Sequence, residues 1–149
     1  MVAAFFTSVL FLVPVITIIS GQILKQFVFL YHGEKITWKS LLTDGGLPSS
    51  HSATMSSLTT TIFFLDGLTT LFYLSFFVTI ITAKDAFGVR RESGKHARIL
   101  KQVLKKLALK DAEHIKMLVG HTKTQVLAGL VWGFIVAIIM HPILISLFV

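Results

Sequence analysis

Three short stretches of this 149-residue chain hold residue types that could bind and transfer a charged group. The first is Gly45-Gly46-Leu47-Pro48-Ser49-Ser50-His51-Ser52. Its two glycines loosen the backbone, and Pro48 suits the first turn of a helix, where its missing N–H is not needed. Backbone N–H groups and the Ser49 and Ser50 hydroxyls would then face an incoming anion. His51 could give or take a proton near neutral pH. The same residues also read as an ordinary capped helix start with an interfacial histidine.

The second stretch is Asp85-Ala86-Phe87-Gly88-Val89-Arg90-Arg91. Guanidinium forks bind two phosphoryl oxygens at once, so Arg90 and Arg91 suit a phosphate, although paired arginines also anchor a membrane protein at its basic side. Asp85 is expected to pair with an arginine rather than to bind a metal with Asp44, because two lone carboxylates make a weak metal signature. The third stretch starts Gly120-His121-Thr122-Lys123-Thr124-Gln125 and runs on through Gly129. On a helix, His121 and Gln125 share a face, and the amide could hydrogen-bond one ring nitrogen and leave the other to attack. Gly129 and Gly133 leave room for close helix packing.

What must position these residues is apolar. More than half of the chain, 54%, is hydrophobic and only 14% is charged, which excludes an ordinary soluble domain of this size. Four segments are predicted as helices of one small membrane domain covering residues 1–149: roughly 2 to 24, 51 to 65, 68 to 83 and 124 to 149. The first and last can cross a ~30 Å hydrocarbon core. The middle two are short and form a hairpin around Asp66 and Gly67, so protein must extend or shield their ends. Residues 92 to 118 read as an amphipathic helix, with Ile99, Leu100, Val103, Leu104 and Leu107 on one face and Lys101, Lys105 and Lys106 on the other. It would lie on an anionic surface or against the bundle. The fold class is therefore all-α, a membrane bundle of about four spans with a basic helix beside it.

The formal charge is +7, but its placement speaks against nucleic acid as a partner. All 14 Lys and Arg fall in two regions: Lys25, Lys35 and Lys39, then eleven between Lys84 and Lys123. With four crossings these regions share one side, which the positive-inside rule makes cytoplasmic. Lys25, His51, Arg90, Arg91 and His121 then converge at one end of the bundle. Cysteine is absent, which removes thiol chemistry and disulfides.

These residues resemble a known family. Pro48-Ser49-Ser50-His51 looks like the PSGH motif of the type 2 phosphatidic acid phosphatases, membrane lipid phosphatases related to vanadium haloperoxidases. His121-x-x-x-Gln125-Val126-Leu127-Ala128-Gly129 is similar to the end of that family's third motif, where aspartate follows the histidine by four residues. GGLPSSHSA, DAFGVRR and GHTxxQV, in this order on so short a chain, look like the divergent branch of that superfamily. The resemblance implies His121 as the nucleophile that forms a phosphohistidine and His51 as the proton donor. It implies Ser49, Ser50, Lys25 and Arg90 or Arg91 as the phosphate-binding set, supported by Asp85, Gly46, Pro48 and Gly120. No Arg-Pro follows Lys25 as the first motif requires, Ile115 stands where an arginine would precede the nucleophile, and Gln125 replaces the orienting aspartate. His96, six residues after Arg90, offers a rival to His121, but Leu100 stands where its aspartate should be. His32, His114 and His141 lack a constellation and are expected to pack or sit at the interface.

The chemistry implied is hydrolysis of a lipid phosphate or isoprenyl diphosphate with no cofactor and no metal, inhibited by vanadate. Membrane lipids are the expected surroundings, and a homodimer could shield the site. Two alternatives stay open: a non-catalytic protein that binds or moves anionic lipid or phosphate, with the Ser and Thr of 52 to 61 as a polar path, and a magnesium-dependent transferase using Asp44 and Asp85.

Overall fold

The structure, a computed structural model, describes residues 8–31, 33, 46–107 and 120–148. Among them every regular element is helical: α1 (Val9–Tyr31), α2 (Ser50–Asp66), α3 (Thr70–Phe87), α4 (Val89–Lys106) and α5 (Lys123–Phe148). Three stretches, Val9–Tyr31, Thr70–Lys106 and Lys123–Phe148, are long and apolar enough to cross a membrane. The expected all-α membrane bundle is what the chain forms. Its outer faces carry exposed Ile23, Phe77, Ile81, Leu127 and Ile139, as helices bathed in lipid require.

α2 is of a different kind. Its 17 residues rise about 25 Å, and eight of the 17 are Ser or Thr. It packs against α1, α3 and α5, and α5 is its most extensive neighbour, while α1 and α3 do not touch each other. The hydroxyl-rich helix is thus enclosed by three strongly apolar ones. Its hydroxyls are satisfied by protein, since lipid offers them nothing. Thr54, Thr60 and Thr61 each donate to the carbonyl four residues back at 2.8 Å. Ser56 Oγ crosses to the Leu130 carbonyl of α5 at 2.7 Å, and Thr59 shares a 2.9 Å bond with Thr79 of α3. Such interhelical bonds average about 0.6 kcal/mol in a membrane, so they specify the packing more than they strengthen it.

Close approach of α2 and α5 depends on two glycines one helical turn apart. A Cβ on Gly129 would press on the Ser52 and Ser49 side chains at 3.1 and 3.2 Å, and one on Gly133 would run into the Ala53 backbone. Away from this contact, Val9, Val13, Ala137 and Leu144 join α1 to α5. Ala83, Ala86 and Val126 join α3 to α5 nearer the basic end.

Several boundaries differ from the sequence-based expectation, and two of them move site residues. α1 continues to Tyr31 instead of stopping near residue 24, so Lys25 is not a surface charge after the span but a fully buried side chain within the bundle. The third helix extends to Phe87, capped at its start by Thr69 and interrupted at its end by Gly88 alone. α4 resumes at Val89, so Arg90 and Arg91 lie in its first turn and not in a loop before it. None of its residues is buried, and Ile99, Leu100, Val103 and Leu107 are exposed; among the described residues nothing covers its apolar face. The rest of the expected amphipathic stretch, to 118, lies largely outside the described residues, as do residues 2 to 7 of the first segment.

Candidate active site

α2 begins after Pro48, with Ser49 as N-cap. Pro48 is therefore outside the helix, not in its first turn as expected, although it is fully buried. The Ser49 side chain makes no capping bond; its hydroxyl pairs instead with that of Ser52 at 3.1 Å. First-turn amides of a helix point out of its end and carry the positive pole of the dipole. Here that pole is reinforced by Lys25, whose Nζ lies 3.4 Å from Ser50 Oγ. Gly46 explains how the lysine is held: at φ +103°, its backbone rests on the Lys25 stem, where a Cβ would meet Cγ and Cδ at 3.2 Å. That conformation and that space both favour glycine.

α5 presents the second histidine differently. His121 precedes the helix, is buried, and donates its backbone N–H to the Ala86 carbonyl of α3 at 3.1 Å. Thr122 caps the helix. Its N–H bonds Gln125 Oε1 at 2.9 Å, and the Gln125 N–H bonds Thr122 Oγ1 at 3.2 Å. This is a reciprocal capping box, and it gives Gln125 a role that the motif did not suggest: its amide oxygen accepts from the backbone at the start of α5. The ring and the amide cannot share a helical face, because His121 is not in the helix. Gly120 packs so tightly on the Arg90 and Arg91 backbone that any side chain there would collide. The α3–α4 junction is thereby fixed beside the His121 turn.

One further bond joins the two histidine turns: Ser49 N–H donates to the Gln125 carbonyl at 3.0 Å. The result is a polar end where α1, α2, the α3–α4 junction and the start of α5 meet. Ser50, His51 and Arg90 line an open groove of about 490 Å³ there, with Ile18, Thr54, Met55 and Thr82. His51 is exposed. Arg90 is held by Asp85, Nε to Oδ2 at 2.7 Å, the ion pair expected from the sequence. Arg91 does not line the groove, and neither does His121. Thr54 and Met55 belong to none of the three motifs, yet their spacing of three and four from His51 places them on its helical face.

Among the described residues no group of three or more His, Cys, Asp or Glu is placed to hold a metal; Asp44 lies outside the described residues, as do His32, His114 and Ile115. His96 stands exposed on α4, away from the groove. His141 packs against Phe64, ring centroids 5.0 Å apart, as expected of a packing residue.

Apolar helices surrounding a polar end with a lysine, an arginine and two histidines define a small integral membrane protein with a basic, polar site at one end. The chain belongs to the divergent PAP2 family, whose model matches residues 6–136. It is 30% identical over 138 residues to YuiD, an uncharacterized membrane protein of Bacillus subtilis (strain 168), a match covering 83% of this chain and 87% of that one. No solved structure matches significantly.

Proposed function

We propose that the protein is a membrane-embedded phosphatase that removes phosphate from a lipid phosphate or an isoprenyl or lipid diphosphate through a phosphohistidine. The observation that carries this is the groove wall: Ser50, His51 and Arg90 line one groove at a helix N-terminus without a side-chain cap, and buried Lys25 stands behind Ser50. Phosphoryl transfer mostly needs positioning and charge neutralisation, and these residues supply both. In this mechanism a ring nitrogen of His121 attacks phosphorus while the bond from phosphorus to the lipid oxygen breaks, and His51 protonates that oxygen. His51 then takes a proton from water, whose oxygen attacks phosphorus, breaks the bond to His121 and releases inorganic phosphate. The crowding of Lys and Arg at this end supports a site at the cytoplasmic face of a bacterial inner membrane.

One observation favours a second function, phosphate or anionic-lipid binding without turnover. Gln125 is a neutral amide, so unlike an aspartate it places no negative charge beside His121, which is itself buried and outside the groove. The two are separated by measuring phosphate release from short-chain phosphatidate, phosphatidylglycerophosphate and isoprenyl diphosphate by detergent-purified protein in chelator. Release that vanadate inhibits and His121→Ala eliminates is expected. Binding without release on all three substrates would overturn the phosphatase in favour of the binding protein.

A further inference from the structure

On the other side of α2 lies a second hollow of about 630 Å³, half open and walled by α2, α3 and α5. It is separate from the His51 groove. On α2, His51, Thr54 and Met55 face the groove whereas Ser56, Thr60 and Phe63 face the hollow; at about 100° per residue these two sets point in opposite directions. The hollow is aromatic, with Phe63, Phe72, Phe76, Phe87 and Phe134 in its wall. From Phe72 to Phe87 it follows α3 for about 22 Å, much of a ~30 Å hydrocarbon core.

Its few hydroxyls are already committed. Ser56 donates to Leu130, Thr60 donates to Ser56, and Thr59 pairs with Thr79, which also reaches the Ser75 carbonyl at 2.8 Å. Hydroxyls that have spent their protons make a wall suited to hydrocarbon, not to a polar solute. The Ser and Thr run of α2 is therefore packing, not the polar path that its composition allowed. Among the described residues one charged side chain lines the hollow, Lys84, exposed in the last turn of α3 at the basic end.

From this we infer that the hollow holds one hydrocarbon chain of a bilayer phospholipid whose anionic headgroup rests on Lys84, a lipid site distinct from the groove. The aromatic wall takes the chain, the lysine selects the charge, and the length matches a chain running inward from the basic surface. The lipid is a resident of the bundle and not the reacting substrate.

The test uses the full-length chain in nanodiscs, with phosphatidylglycerol, phosphatidylcholine or phosphatidate carrying a photoactivatable group on its chain, and maps the labelled peptides. Phosphatidylglycerol should label the Phe72 to Phe87 segment in preference to phosphatidylcholine by about fivefold, the effect of one lysine at an anionic surface. Lys84→Gln should remove that preference. Ile80→Trp, which fills the hollow from α3, should lower labelling by both lipids, with Leu130→Trp as a second filling variant should the first not fold. His51→Ala should leave the pattern intact. Equal labelling by the neutral and anionic probes overturns the assignment, as does labelling that both filling variants leave unchanged. Labelling by phosphatidate alone would make the occupant the substrate's own chain and overturn it too.

Discussion

Two helices bring a histidine to the basic end of the bundle, and their N-termini are finished in opposite ways. α5 closes its own: Thr122 and Gln125 exchange two bonds, so amides that could have faced a ligand are occupied. α2 leaves its end without a side-chain cap, because Ser49 gives its hydroxyl to Ser52 and not to a first-turn amide. A lysine from α1 lies against that end. An N-terminus serves an anion only where the chain has not already capped it. In the proposed mechanism α2 is therefore the end that meets the anion, and His121 comes from just before α5.

The sharpest way to break this contrast is to remove each histidine. His121→Ala should reduce phosphate release to background, and His51→Ala should lower kcat by about 100-fold or more, the usual share of general acid catalysis. Both variants should keep their helical circular dichroism; equal and mild losses would mean that neither terminus does chemistry. Next in size is the charge. Lys25→Met should weaken vanadate inhibition by about tenfold or more, as expected for a charged partner in a secluded site. Lys123→Met, on the exposed first residue of α5, should change it by less than about twofold because water and salt screen it.

Arg90 and Arg91 give a smaller contrast. Arg90 lines the groove and Arg91 does not, so Arg90→Ala should raise KM by about fivefold to tenfold, the reach of one charged hydrogen bond, while Arg91→Ala leaves KM nearly unchanged. The smallest effect belongs to the cap. Gln125→Ala should cost about 1 kcal/mol in stability and Gln125→Glu should restore it, both read by thermal unfolding with kcat followed in parallel. A kcat collapse at unchanged Tm would return Gln125 to the ring of His121.

Much of this was legible in the chain. Apolar segments broken by Gly67 and by charge announce a helical membrane bundle, and the three motifs announce which residues belong together. Thr122-x-x-Gln125 also carries a capping-box signature, yet the His121-to-Gln125 spacing suggested a catalytic pair; the helix start, which decides between them, is set by contacts and not by composition. Lys25 was misplaced for a related reason. A lysine ends an apolar run on paper, but here the helix continues past it because a partner helix and a glycine accommodate its side chain.

By itself, then, the sequence determined the helices, the basic end and the residue types available for phosphate, since hydropathy and charge act locally and add along the chain. Only the tertiary structure decided that Lys25 is buried against Ser50, that Arg90 and not Arg91 lines the groove, and that Gln125 closes a helix. The first two depend on how closely neighbouring segments approach, which Gly46, Gly120, Gly129 and Gly133 allow because a missing side chain on one segment makes room for an atom of another; the third depends on where α5 starts, just after Thr122.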